Sequence, residues 1–127
     1  MKPAKWKSIA SAESGREYLA LLTFLPLKSF RALPKFLKYN SQIEHQLSES
    51  QGLVGYSVRA KLLKLNFWTL SVWEGEEALM DFVYRIPHSE VMQSLAPHMG
   101  QTKFIRWKIK GAEIPPSWDE AGKHSKE

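Results

Sequence analysis

The chain has no cysteine. That absence excludes a disulfide framework, a thiolate zinc site and thiol nucleophilic catalysis together. No apolar run approaches the length of a membrane span. The N-terminus, MKPAKWKSIASAESG, is basic but has no apolar h-region, so it does not read as a secretory leader. A cytoplasmic protein without a membrane partner is the expectation. Gly-rich phosphate loops, internal repeats and low-complexity segments are also missing. No Ser-His-Asp or Cys-His order can be recognised. His45, His98 and His124 lack the i+3 or i+4 spacing of a metal site apart from chance neighbours, so no metal is expected.

What the chain does have is aromatic surface: five Trp, six Phe and four Tyr in 127 residues. Such rings fill cores, wall pockets and anchor interfaces. The length suits one domain, which at this size buries roughly two-thirds of its unfolded surface. A net charge of +5 permits an acidic partner without demanding one.

Residues 1–17 read as an N-terminal arm with Trp6 as its possible anchor. Residues 18–112 form the domain, and 113–127 a C-terminal tail with a short helix. Tyr18 to Leu25 is apolar at nearly every position, as expected of a strand covered on both faces. A helix starts near Pro34, with Phe36, Asn40, Ile43 and Leu47 at helical spacing, and Gly52 follows as a natural stop. Leu53 to Leu63 alternates Val54, Tyr56, Val58, Ala60 and Leu62 with Gly55, Ser57, Arg59 and Lys61, a strand with one apolar face. Phe67 to Trp73 is a third strand, bulky on both faces. Glu76 to Arg85 is a second helix with Leu79, Phe82 and Val83 inward, and Pro87 restarts the chain into a shorter helix carrying Val91, Met92 and Leu95. Lys103 to Lys110 closes the series, with Ile105, Trp107 and Ile109 on one face. In the tail, Ser117 to Glu120 has the Ser-x-x-Glu form of a capping box.

The order is β-α-β-β-α-β, an α+β fold of ferredoxin-like type: an antiparallel sheet with both helices on one face. The other face is the open question. The first and third strands carry apolar or aromatic side chains on both faces, which a solvated sheet would not need. A twofold mate covering that face, and hence a homodimer, is the economical solution.

The runs GLVGYSVRAKLL, FWTLSVWE, EEALMDFVYRIPHSEVMQSL and FIRWKIKGAEIPPSWDEA, in this order, resemble the dimeric α+β barrel superfamily. The resemblance is densest to antibiotic-biosynthesis-monooxygenase-like proteins and a related group of uncharacterised domains, and covers Tyr18 to Ala121. It is specific for the fold. It is weakly specific for activity, because monooxygenases, haem-degrading enzymes, isomerases and decyclases share it. It implies a ligand cavity between helices and sheet, lined by strands 18–25, 67–73 and 103–110, with the other sheet face forming a dimer barrel. The quinol-type members use no metal and no flavin, so no cofactor is expected. Haem degradation is excluded: those enzymes carry Trp where this chain has Phe82, and their axial His falls near Met92 or Gln93.

Within this frame His88 is the candidate catalytic base. It follows Pro87 in the first turn of a helix whose positive end favours neutral imidazole, the form that accepts a proton. The alternative is a structural His bonded to a backbone carbonyl. Trp73 and Phe82 are candidates for stacking a flat aromatic ligand or for plain packing. Arg59 fits an anionic group or a solvated salt bridge. Tyr84, closing the second helix beside His88, offers a phenol or an ordinary surface residue. Asn40 is a polar residue on an inner stripe, where a ligand, a water or the backbone must satisfy it.

Three functions follow. The first is a cofactor-independent monooxygenase-like protein acting on a small aromatic, quinol or polyketide-like compound. The second is a non-enzymatic dimer that binds a small molecule. The third is an RNA-binding module, with Arg59, Lys61, Arg106, Lys108 and Lys110 sharing a sheet face with Phe67 and Trp73. The third strand lacks the basic-Gly-aromatic core of that module, so no nucleic-acid partner is expected.

Overall fold

A strand that is apolar at nearly every position has to be covered on both sides, and Glu17–Pro26 occupies such a place in the interior of the sheet. The computed structural model describes residues 6–84, 93 and 96–125. Within them β1 (Lys7–Ser8), β2 (Glu17–Pro26), β3 (Leu53–Lys61), β4 (Asn66–Trp73) and β5 (Lys103–Lys110) form one antiparallel sheet in the order β1-β3-β4-β2-β5. Helix α1 (Leu33–Glu49) joins β2 to β3, and α2 (Glu76–Tyr84) follows β4. The four long strands and these helices make the expected ferredoxin-like unit. Helix α3 (Trp118–Ser125) lies in the tail, where the Ser117 hydroxyl accepts the Glu120 amide at 3.0 Å. The segment assigned to a shorter helix after Pro87 falls outside the described residues.

Register decides what each face carries. Across β4, β2 and β5, Leu70 pairs with Leu22 and Leu22 with Ile105, while Val72 pairs with Ala20 and Ala20 with Trp107. Paired residues share a face, so these form the core on the face away from α1 and α2. The intervening rows, Ser71–Leu21–Arg106 and Thr69–Thr23–Phe104, face the two helices.

The expected alternation of β3 holds from Tyr56 onward but breaks at its start. A bulge between Leu53 and Gly55 turns Val54 into the distal core while Leu53 stays on the helix side. Beyond Lys61 the chain leaves the sheet in a short turn, Leu62–Lys64, so Leu62 and Leu63 are exposed and do not extend the strand.

The distal face, expected to be covered by a mate, is covered in part by the chain's own ends. Trp6 and Ala12 of the arm and Ile114, Trp118 and Ala121 of the tail pack into the cluster built on Tyr18, Ala20, Val72 and Ile109. The arm adds a short edge strand to the sheet. Lys7 and Ser8 pair with Tyr56 and Gly55, and the amides of Ile9 and Ala10 donate to the Val54 carbonyl at 2.8 and 3.1 Å. Glycine at position 55 makes room for the Trp6 indole, because a Cβ there would lie 2.6 Å from its ring atoms. Phe24, Trp68 and Ile105, at the other end of this face, remain half-buried.

Gly55→Val tests the arm's docking. Valine suits a strand but its side chain occupies the indole's place, so a loss of about 1–3 kcal/mol is expected on chemical denaturation. Trypsin should also cleave at Lys7 faster; an unchanged cleavage rate would show that Trp6 is not the anchor.

Candidate functional site

The core on the helix side is divided. One cluster gathers Phe36, Leu65, Phe67 and Met99, and another gathers Leu47, Leu53, Tyr56, Trp73, Leu79 and Phe82. Between them, bounded by residues of both, lies a cavity of about 480 Å³. That volume is within the range of small-molecule pockets. Its floor comes from β2, β4 and β5, and its roof from α1 and α2.

The walls are mostly apolar. Trp73 and Phe82, both buried, set their rings 5.2 Å apart at 41°. The Trp73 indole N–H donates to the Ser71 hydroxyl at 2.9 Å, which fixes the ring's orientation at the strand end. The Gln46 amide, buried in α1, donates to the Phe82 carbonyl at 3.3 Å and ties the two roof helices together. Polar groups are few: Thr23, Thr69 and Ser71 in the floor, Asn40 in the roof and Arg106 on β5. Among the described lining residues Arg106 is the one ionisable side chain, and it donates to Glu76 at 2.8 Å.

Asn40 is held from outside the cavity. Its amide donates to Glu44 at 3.5 Å, and the same carboxylate takes the Lys7 ammonium at 3.1 Å and the Tyr56 hydroxyl at 3.4 Å. This cluster connects the arm, β3 and α1. The hydrogen bond and charge of Glu44 raise Lys7 above its ordinary 10.5. Burial, and then the Glu44 charge, push the Tyr56 phenol above its ordinary 10.0.

The structure therefore brings Trp73, Phe82 and Asn40 around one cavity. Arg59 is not with them. It pairs in register with Trp68 on the distal face, where its guanidinium lies 5.1 Å from the Trp68 ring and 6.0 Å from that of Trp118. Its parity along β3, read without a partner strand, gave a polar face but not which side of the sheet that face was. Tyr84 ends α2, and its side chain lies outside the described residues, as does His88.

The shared basic–aromatic face of the RNA-binding alternative forms only in part. Arg106, Lys108 and Lys110 share the helix-side parity with Phe67 and Trp73, whose rings are buried there, while Arg59 and Lys61 lie on the opposite face. Sequence reading also missed Arg106, Thr23 and Phe104 as lining residues. Their signal was the phase of Phe104 with Arg106, an aromatic on an otherwise charged face.

The comparisons with known proteins follow this geometry. Residues 35–126 match the sequence profile of DUF3291, a domain of unknown function. The chain belongs to the DUF3291 family. A comparison with curated proteins finds no match. Among solved structures, this DUF3291 chain is similar to an antibiotic biosynthesis monooxygenase, at a TM-score of 0.64 and 10% identity, over 70% of this chain and 95% of that one. A conserved protein from Methanosarcina mazei Go1 aligns at 0.63 and 13%, over 71% and 90%. A candidate monooxygenase from Fusobacterium nucleatum aligns at 0.68 and 8%, over 85% of this chain and 48% of that one. Identities this low carry the fold alone: DUF3291 here has the fold of antibiotic-biosynthesis-monooxygenase-like α+β barrel proteins. No helix among the described residues is long and apolar enough to cross a membrane.

The Glu44 cluster yields a pH dependence. Lys7 and Tyr56 both hold their protons to higher pH folded than unfolded, so stability is full below about pH 10 and falls as pH rises through the folded values. Denaturation midpoints should decline above that pH in the wild type and decline less steeply in Glu44→Gln. Equal slopes for the two would remove Glu44 as the cause.

Proposed function

We propose that this DUF3291 protein is a cofactor-independent, monooxygenase-like protein that acts on a small aromatic quinol or polyketide-like compound in the cavity between sheet and helices. The observation that carries the reading is that cavity: mostly apolar, of small-molecule size, with an aromatic pair on one wall and few polar groups. The fold shared with proteins named as monooxygenases supports it.

The chemistry balances on substrate and dioxygen. A base takes a phenolic proton, and the electron-rich phenolate passes one electron to oxygen. The radical pair recombines at the ring carbon conjugated with the phenolic oxygen, which bears one hydrogen, and the peroxide so formed takes the proton back from the base. Loss of water then breaks the O–O and C–H bonds and leaves a carbonyl. One oxygen atom stays on the ring, and the other departs with the returned proton and the ring carbon's hydrogen. The protein's part is a base, a dry pocket and hydrogen bonds that orient the ring. His88 is the base in this reading and Tyr84 its neighbour. Trp73 and Phe82 stack the ring, Asn40 orients it, and Arg106 takes the anion-holding part first assigned to Arg59.

A second reading is a dimer that binds a small molecule without turning it over. It is favoured by the character of the cavity wall, which is mostly apolar with a few hydroxyl and amide groups. In both readings the protein is cytoplasmic, and a twofold mate covers Phe24, Trp68 and Ile105 at the open end of the distal face.

Oxygen uptake with a panel of quinols separates the two. The wild type should consume oxygen without added metal or flavin, and His88→Ala should be slower by on the order of 10²-fold. Equal rates would take His88 out of the mechanism, and no uptake with any quinol would leave the binding reading. Sedimentation at micromolar concentration should give the mass of two chains; a single-chain mass rules the mate out.

A further inference from the structure

The floor of the cavity carries a polar pattern that neither packing nor the proposed base explains. Thr23 and Thr69 are direct cross-strand partners on β2 and β4, and both line the cavity. Ser71, two residues along β4, lines it as well and is itself buried. The three hydroxyls thus occupy adjacent positions on the two central strands. Around them the cavity's strand and helix residues are Leu, Phe, Ile and Val in the main.

A floor meant only to support two helices would use valine at these places. Valine has the shape of threonine, favours strands as well, and leaves no hydroxyl to satisfy. Ser71 gives the pattern a direction. Its oxygen accepts the indole N–H of Trp73, which is the Ser71 oxygen's bond inside the protein core. A hydroxyl engaged as an acceptor keeps its own proton to donate, and the charge shift from the indole bond makes it a better donor.

We propose that Thr23, Thr69 and Ser71 form a hydroxyl platform that recognises oxygen substituents on one edge of a flat ring, making the ligand an oxygenated polycyclic or bicyclic aromatic rather than a plain hydrocarbon. The ring's oxygen-bearing edge rests on the two central strands, and its apolar remainder lies against Trp73, Phe82 and the roof helices. The platform selects because a ligand lacking those oxygens leaves the hydroxyls without partners once water is excluded. This rests on the reading that the cavity receives an aromatic compound, but not on any reaction there.

The test uses two probes of the same skeleton, 1,8-dihydroxynaphthalene, whose oxygens share one edge, and naphthalene, titrated into the full-length protein by calorimetry under nitrogen. The wild type should bind the dihydroxy probe about tenfold more tightly than the hydrocarbon, the scale on which a few neutral hydrogen bonds discriminate. The double variant Thr69→Val with Ser71→Ala should bind both probes equally. Thr69→Ser, which keeps the hydroxyl, should retain the preference and controls for disturbed folding. Equal affinities in the wild type, a preference that survives in the double variant, or failure of both probes to bind at their solubility limits would each overturn the platform. Because oxygen is absent, a retained preference alongside no oxygen uptake in air would sink the monooxygenase reading and leave the platform standing.

Discussion

The pairing register of β2 is the constraint on which the rest of the molecule depends. This strand is hydrogen-bonded on both edges, to β4 and to β5, and covered on both faces. A slip of one residue would exchange Leu19, Leu21 and Thr23 with Tyr18, Ala20 and Leu22. The cavity floor would lose the Thr23 hydroxyl, and Thr23 would enter the distal core among Leu70, Val72 and Trp107. Neighbouring strands enforce the same choice. Ser71 and Arg106 flank Leu21, and Thr69 and Phe104 flank Thr23, so cavity lining on three strands is set by one register.

The two faces solve different problems with the same alternation. The distal face carries a buried cluster and is closed in part by the chain ends, which reach it through a bulge at Val54, a glycine at 55 and an indole at 6. The helix face is left with an opening between two clusters, which forfeits contacts that a filled core would make. Side-chain bonds hold the walls apart in a fixed shape: Gln46 to the Phe82 carbonyl between the helices, and Trp73 to Ser71 within the floor. A preformed opening of this kind suits a ligand whose binding is not consumed in ordering the site.

Much of this was legible in the residues. The apolar run from Tyr18 to Leu25 announced a doubly covered strand, the stripe of Phe36, Asn40, Ile43 and Leu47 announced α1, and Ser117 to Glu120 announced the start of α3. Phe82 and Asn40 could be named as pocket residues because helical periodicity places them on inner stripes and the family resemblance says what those stripes face. Trp73 was a candidate whose sheet face the strand alternation left open. Arg59 and Arg106 were harder. Both sit on the polar face of an alternating strand, and alternation has period two without saying which side is up. Only the partner strands decide that Arg59 stacks with Trp68 away from the cavity while Arg106 enters it.

The sequence by itself determined the elements, their order and the need for both sheet faces to be covered, since each follows from local periodicity, breakers and the cost of exposing apolar side chains. The tertiary structure alone decided what covers the distal face, which hydroxyls share the floor and which arginine faces the cavity. Those outcomes rest on contacts between residues far apart in the chain, such as Trp6 on Gly55 and Thr23 beside Thr69. No local pattern encodes them, because each partner's periodicity is satisfied equally well whichever way its strand is turned.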